Sequence, residues 1–168
     1  MTMSAAEVAD RLAITDKIYR YCRSVDRLDV PVGHSVFHED SFADFGASYV
    51  GTGRGWIDFI CEEHRKFLHH SHQVTNIIIE IDGDDGTRAG SESYVYASLQ
   101  RQDGDTVFRH EFWARYVDTW SKRGGDWAID RRDCIVDYGA IREVTPLPGS
   151  PSSRRDRGDP SYGVLTRS

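Results

Sequence analysis

The first part of the chain has its apolar residues at helical spacing. From Ser4 to Asp26 no glycine or proline interrupts the sequence, and apolar residues recur at steps of three and four, namely Ile14, Ile18, Tyr21 and Val25. This spacing places the four side chains on one face of a helix. The pattern therefore predicts a long N-terminal helix with one buried face, and Tyr21 belongs to that face.

A second, shorter helix and a short strand are predicted next. Asp29 and Pro31 have the order of a helix cap and a first turn, because proline is well tolerated at the start of a helix. We place Phe37 in this second helix. Residues 41–51 alternate weakly between apolar and polar and end in glycines, which favours a short strand followed by a loop.

The remaining pattern predicts a third helix and then a sheet. Residues 54–68 carry a broad apolar stripe that includes Trp56 and His64. Turn-forming residues then separate four long strands, at about 71–81, 87–101, 106–121 and 127–141. Short links of this kind join antiparallel neighbours.

Helices followed by a run of strands predict an α+β fold. We expect a cone-shaped α+β barrel, in which a curved, mixed or antiparallel sheet wraps around the long N-terminal helix. Such a cone is open at one end. Its mouth is a suitable place for a small hydrophobic ligand.

Composition indicates one domain and a tail of different character. The chain has 168 residues, with 21 Lys and Arg against 27 Asp and Glu, which gives a net charge of −6. This length suits one domain, and the negative charge argues against nucleic acid as a partner. Proline, serine and paired charges concentrate in residues 144–168. We therefore expect a cone domain at 1–143 and a tail that is flexible or covers the pocket.

Targeting signals and cysteine chemistry are not indicated. No segment approaches the length of about 18 apolar residues that a membrane span needs, and the start of the chain lacks the apolar centre of a signal peptide. A cytoplasmic protein is expected. Cys22, Cys61 and Cys134 are widely spaced and contain no CxxC pair. They predict reduced thiols rather than a disulfide framework or a zinc site.

An acid and a group of histidines supply the first candidate chemistry. Asp26 ends the apolar face of the first helix, where it either terminates the helix or points toward the core. His69, His70 and His72 lie where the third helix leads into the first long strand. His70 and His72 share a face if this segment is extended. We favour a pair in which Asp26 orients His72 as a general base.

Two other interpretations of these histidines stay open. Imidazoles bind zinc, iron or copper, but His70 and His72 have no evident third and fourth ligand, so we predict no metal. Histidines at a helix end also complement the helix dipole at the surface, an interpretation that suits His69.

Aromatic and basic residues supply further candidates. The expected substrate-binding residues are Tyr49, Trp56, His110 and Phe112. Among them, His110 is either a core histidine or a polar contact to the ligand. Arg131 and Arg132 point to opposite faces of the last strand, so at most one of them faces inward. An inward arginine would stabilise a leaving anion.

The order of these parts resembles a known family. A helix that ends in Y-x4-D (Tyr21 and Asp26), an H-x-x-H-x-x-T-N segment at 69–76 and an R-x-x-C segment at 131–134 are arranged as in the SnoaL-like branch of the nuclear transport factor 2-like superfamily. Hexachlorocyclohexane dehydrochlorinase, scytalone dehydratase and bile acid 7α-dehydratase are members of this group. The resemblance covers about residues 5–141.

The resemblance implies elimination chemistry that needs no cofactor. It matches Asp26 and His72 to the family's Asp-His dyad, Tyr21 to a catalytic tyrosine, and Arg131 to an arginine that receives the departing anion. A lyase is implied that removes water, an anion or a small aldehyde such as formaldehyde from a small hydrophobic substrate, aromatic or polycyclic. The family also implies a homodimer or homotrimer.

Other functions stay open on the same resemblance. The dyad would also serve an isomerase, which returns the proton elsewhere on the substrate. The superfamily further includes ligand-binding proteins without activity and the small subunits of ring-hydroxylating dioxygenases.

Overall fold

The computed structural model describes residues 3–82, 85–149 and 153–165. The helices are α1 (Ala5–Arg27), α2 (Val30–His34), α3 (Gly53–His64) and α4 (Ser161–Val164). The strands are β1 (Phe37–Asp44), β2 (Val50–Thr52), β3 (His69–Asp82), β4 (Arg88–Asp103), β5 (Thr106–Arg123) and β6 (Asp126–Val144). Among the described residues, no helix is both long and apolar enough to cross a membrane.

The six strands form one mixed sheet that curves around α1. Their order is β2-β1-β6-β5-β4-β3, with β1 parallel to β6 and every other pair antiparallel. Helix α1 packs against both β3 and β6, which are three positions apart in the sheet. The sheet must therefore bend around the helix. The predicted α+β cone is confirmed, although the sheet stays open between β2 and β3.

Helix α1 begins and ends where its sequence provides the caps. The Ser4 side chain accepts a hydrogen bond from the backbone N–H of Glu7 at 3.1 Å. At the other end, Leu28 adopts a left-handed conformation with φ of 54°, and its N–H bonds to carbonyls of the last turn. The four apolar residues predicted to share one face are all at most 2 % exposed. The amphipathic pattern thus fixes both the helix and the side that it buries.

The segments after α1 differ in detail from the prediction. Phe37 begins strand β1 instead of ending the second helix, and the predicted strand at 41–51 is two strands, β1 and β2. Helix α3 ends at His64 because the N–H of Leu68 already donates to the Gln100 carbonyl of the sheet, at 2.8 Å. These differences arise from pairing with distant strands, which local periodicity does not contain.

The described part of the tail folds against the ends of the first helices. The Tyr162 hydroxyl donates to Asp29 Oδ2 at 2.7 Å, and Arg155 Nη1 donates to the His64 carbonyl at 2.9 Å. Both contacts lie near the ends of α1 and α3. Residues 150–152 and 166–168 of the predicted tail lie outside the described residues. The boundary at residue 143 and a covering role for the tail stay predictions.

Candidate active site

An Asp-His pair joins the end of α1 to the start of β3. His72 Nδ1 lies 2.7 Å from Asp26 Oδ1, and the backbone N–H of His72 donates to Asp26 Oδ2 at 3.0 Å. The two side chains are 10 % and 14 % exposed. Both carboxylate oxygens therefore hold the same residue, which fixes the position and the orientation of the imidazole.

This geometry determines which nitrogen of His72 is available. A carboxylate oxygen only accepts hydrogen bonds, so the hydrogen of a neutral His72 is on Nδ1 and the lone pair is on Nε2. A proton taken up at Nε2 creates an imidazolium directly beside the Asp26 carboxylate, which stabilises it. The pair is arranged to act as a general base.

His72 lies at the wall of an apolar cavity of about 130 Å³. The cavity is lined by Tyr21, Val25, Phe45, Trp56, Ile60, His64, His72, Val95, Ala97, Leu99, Phe112, Ala114, Tyr116, Cys134 and Val136. Two lining residues, Phe112 and Val136, are exposed to solvent, so the cavity reaches the surface beside their side chains. A cavity of roughly 150 Å³ holds benzene. The enclosed space therefore suits a single ring.

Tyr21 contributes a neutral hydroxyl to this cavity. Its oxygen accepts a hydrogen bond from Trp56 Nε1–H at 2.8 Å, and among the described residues its own hydrogen has no acceptor. Burial raises the pKa of Tyr21 above its ordinary value, although the nearby Arg132 cation opposes this effect. Tyr21 therefore stays protonated and offers its O–H as a hydrogen-bond donor to a ligand.

The arginine that faces inward is Arg132, and the assignment of Arg131 to the site is corrected. Arg131 is about half exposed, forms an ion pair with Asp133 at 2.7 Å and lies 4.8 Å from the Phe42 ring. Arg132 is fully buried and binds Asp118 through two hydrogen bonds of 2.7 and 2.8 Å. Its guanidinium carbon lies 4.1 Å from the ring of Tyr21.

A β-bulge is the reason that Arg132, and not Arg131, faces inward. Trp120 pairs with Ile129 and Thr119 pairs with Arg131, so Asp130 is an extra residue in β6. Ile129 is buried on the concave face. In a regular strand, Arg131 would share that face, two residues later. The extra residue moves Arg132 there instead.

Comparison with known proteins places the chain in a family. Residues 6–133 match the family model of the SnoaL-like domain, which is more than half of the chain. The chain belongs to the SnoaL-like domain family. No curated protein matches it in sequence. Its fold is the cone of the nuclear transport factor 2-like superfamily, to which this family belongs.

Several solved structures share the fold of this chain. A putative scytalone dehydratase from Novosphingobium aromaticivorans DSM 12444 superposes with a TM-score of 0.71 and 22% identity, over 89% of this chain and 100% of that chain. The hexachlorocyclohexane dehydrochlorinase LinA-type3 from Novosphingobium barchaimii LL02 has a TM-score of 0.70 and 16% identity, over 86% and 96%. A putative aromatic ring hydroxylase from Novosphingobium aromaticivorans has a TM-score of 0.69 and 22% identity, over 82% and 94%. At these sequence identities, the similarity to the three structures shows only that the chain shares their fold.

The other predicted binding residues of this SnoaL-like chain divide into two groups. Trp56 and Phe112 line the cavity. Tyr49 and His110 are not among its lining residues. The Tyr49 hydroxyl donates to the Thr52 carbonyl at 3.1 Å, and the ring of His110 packs at 5.9 Å from the ring of Phe67. His110 does share the concave face of β5 with Phe112, as strand alternation predicts.

His64 is a further residue of the cavity wall, in addition to those predicted from the sequence. It is 4 % exposed, and its ring lies 5.6 Å from that of His72 and 4.4 Å from that of His70. The only sequence signal was a histidine within the apolar stripe of α3. Within the described ranges, no group of three or more His, Cys, Asp or Glu side chains is arranged to hold a metal ion.

The burial of His64 predicts a loss of stability in acid. Burial, assisted by His70 and His72, lowers the pKa of His64 to about 2. The unfolded chain takes up a proton on this residue below about pH 6.5, whereas the folded chain does not. The free energy of unfolding therefore falls by about 1.4 kcal/mol for each pH unit below that point, or about 2 kcal/mol at pH 5.

Urea unfolding at about pH 7.5 and about pH 5 measures this effect in the wild type and in His64→Gln. Glutamine has no titrating group, so the variant is expected to lose less stability between the two pH values. An equal loss in both proteins would show that His64 is not the source of the acid sensitivity.

Proposed function

We propose that this chain is a cofactor-independent lyase in which His72, oriented by Asp26, removes a proton from a small hydrophobic substrate. The observation that carries the proposal is the 2.7 Å contact between His72 Nδ1 and Asp26 Oδ1 at the wall of an apolar cavity. This contact leaves Nε2 as the proton acceptor. A family that includes dehydratase-like and dehydrochlorinase-like cones supports this class of reaction.

The elimination proceeds through groups that the chain itself supplies. His72 Nε2 takes the proton, and the electrons of the broken C–H bond form a carbon–carbon double bond. The leaving group departs from the adjacent carbon with its bonding electrons, as chloride or, for a hydroxyl group, as hydroxide that becomes water when it receives the proton of the imidazolium. The free O–H of Tyr21 donates a hydrogen bond to that group as its charge develops. The imidazolium then returns its proton to the departed group or to solvent.

The cavity restricts the size of the substrate. Its volume of about 130 Å³ suits one aromatic or alicyclic ring, and a polycyclic substrate would extend through the opening beside Phe112. Apolar walls exclude water, which strengthens hydrogen bonds to the reacting atoms. We therefore favour a substrate with a single ring and a leaving group on the carbon beside the acidic C–H.

A panel of such compounds tests the proposal. Phenyl and cyclohexyl compounds with a β-hydroxyl or β-chloro group are incubated with the purified protein, and the products are identified by mass spectrometry. A product lighter by the mass of water or hydrogen chloride supports the lyase. A product of unchanged mass indicates the isomerase, and binding without turnover indicates a ligand-binding protein. Either of the last two results contradicts the lyase.

We also propose that the chain forms a homodimer or homotrimer through the convex face of the sheet. Tyr94, Ile135 and Tyr138 are exposed large apolar residues on this face, and the ring of Trp113 stacks on that of Tyr138 at 4.8 Å. Contiguous exposed apolar surface is typical of an interface between proteins.

Light scattering measures the mass of the particle in solution. We expect two or three times the chain mass of 19.1 kDa, and a lower mass for Tyr138→Asp, because a buried carboxylate destabilises the interface. A wild-type mass of one chain would contradict the proposal.

A further inference from the structure

A second, more polar space lies on the other side of the Asp-His pair. It is a groove of about 300 Å³ between α1 and β3, lined by Tyr19, Cys22, Arg23, Asp26, Arg27, His72 and Val74. His72 lines both this groove and the apolar cavity. A ligand that contacts His72 is thus next to two spaces of different chemistry.

The groove contains two arginines whose hydrogen-bonding capacity is mostly unused. Arg23 donates to Ser161 Oγ at 3.3 Å, and its Nη1 lies 3.8 Å from Asp29. Arg27 Nε lies 3.6 Å from Asp159, and this nitrogen has no hydrogen-bond partner in the part of the chain that the structure describes. A guanidinium offers five N–H donors in a planar fork that matches a carboxylate.

A ring contact also holds Arg23 in place. The Tyr162 ring of the tail lies 4.6 Å below the guanidinium of Arg23. The side chains of Arg23 and Arg27 are 21 % and 29 % exposed, which leaves them accessible from the groove. Positions fixed before binding reduce the entropy that a ligand loses when it docks.

The charges of the groove favour an anion. Asp26 is its one acidic lining residue, and both oxygens of Asp26 already accept hydrogen bonds from His72. Asp26 is therefore not free to pair with either arginine. Their ion pairs with Asp29 and Asp159 are longer than hydrogen bonds, at 3.8 and 3.6 Å.

We propose that the groove binds a carboxylate of the substrate through Arg23 and Arg27 while the substrate's ring occupies the apolar cavity. The inference rests on the proposed function and narrows its substrate class to ring compounds that carry a short acidic side chain. His72 then lies between the two anchored ends, next to the carbon that loses its proton. The arginines act as binding and positioning residues.

Matched pairs of an acid and its amide test the site without turnover. Isothermal titration calorimetry measures the affinities of phenylacetate, phenylacetamide, 3-phenylpropanoate and 3-phenylpropanamide for the full chain. Each amide keeps the ring and the shape but removes the charge. We expect at least one acid to bind about tenfold more tightly than its amide, because a charge-assisted pair at a partly exposed site contributes about that factor.

Substitution of the groove arginines tests whether the preference for an acid over its amide arises in the groove. Arg27→Gln and Arg23→Gln are each expected to reduce the preference for the acid to about twofold or less, and Arg27→Lys to retain part of it. Arg20→Gln is the matched control, because it removes the same charge from α1 at a residue that pairs with Asp16 outside the groove. The control is expected to keep the wild-type preference.

Three results would overturn the inference: equal binding of acids and amides, no measurable binding of either acid, or a preference that survives in both arginine variants. Failure of the proposed function gives a different result. If the protein prefers the acid but turns over no compound of the panel, only the lyase proposal is contradicted. If it turns over neutral compounds but shows no preference for the acid, only the carboxylate site is contradicted.

Discussion

His72→Ala is expected to lower kcat about a thousandfold or more on the substrate that the panel identifies. A positioned general base contributes roughly 10²–10⁴ to the rate, and the variant removes the only imidazole that is held by Asp26 among the described residues. Asp26→Asn is expected to lower kcat about a hundredfold, because the amide no longer fixes the hydrogen of His72 on Nδ1. Steady-state kinetics measures both losses.

The control for this experiment is His110→Ala. His110 lies on the same concave face but packs against Phe67 rather than lining the cavity, so its variant is expected to turn over close to the wild-type rate. Circular dichroism verifies that each variant is folded. Undiminished turnover in His72→Ala would show that another group is the base.

Arg132→Met is expected to lower the free energy of unfolding by about 3 to 5 kcal/mol, the range for one partner lost from a buried ion pair. Arg132 and Asp118 are 0 % and 2 % exposed and form two hydrogen bonds with each other. Burial raises the pKa of Asp118, and Arg132 opposes this rise; the Asp118 carboxylate in turn raises the pKa of Arg132 against the effect of burial, so Arg132 stays charged. The variant leaves the Asp118 carboxylate buried without its cation.

The double variant Asp118→Leu, Arg132→Met separates this effect from simple loss of packing. Since neither charge is then buried, it is expected to recover most of the stability that either single variant loses. Urea unfolding of the wild type, both single variants and the double variant gives the coupling energy. Losses that add up in the double variant would contradict a coupled pair. The double variant keeps the test meaningful even where a single variant does not fold.

The same pair supports the site through Tyr21. The guanidinium of Arg132 contacts the rings of both Tyr21 and Tyr116, with its central carbon 4.1 and 4.2 Å from the two centroids. Both tyrosines line the cavity. A cation at this position is attracted to the ring faces and holds the rings in place. The stability of the ion pair and the shape of the cavity therefore depend on the same residue.

Local sequence was sufficient to predict the elements that depend on short-range spacing. Helix α1 and its buried face follow from residues within a few positions of each other. The four long strands are predicted from the turns between them. Asp26 and His72 are 46 residues apart, yet each has a local signal: an acid on an apolar helical face and a histidine at the start of a strand.

The tertiary structure alone decided which residues meet inside the cone. Nothing local indicates that β1 lies parallel to β6, and this pairing turned the predicted end of the second helix at Phe37 into a strand. His64 enters the cavity wall only because the end of α3 packs beside the first residues of β3. Contacts of this kind depend on residues far apart in the chain.

The two arginines of β6 show most clearly what the local sequence could not determine. Sequence alternation determined that Arg131 and Arg132 point to opposite faces of the strand, but it did not determine which of them points inward. One extra residue, Asp130, reverses the faces of the residues that follow it, up to a second bulge at Asp137. A bulge forms where it lets a whole strand pair with its neighbours, so its position is set by the register of the sheet and not by the residues beside it.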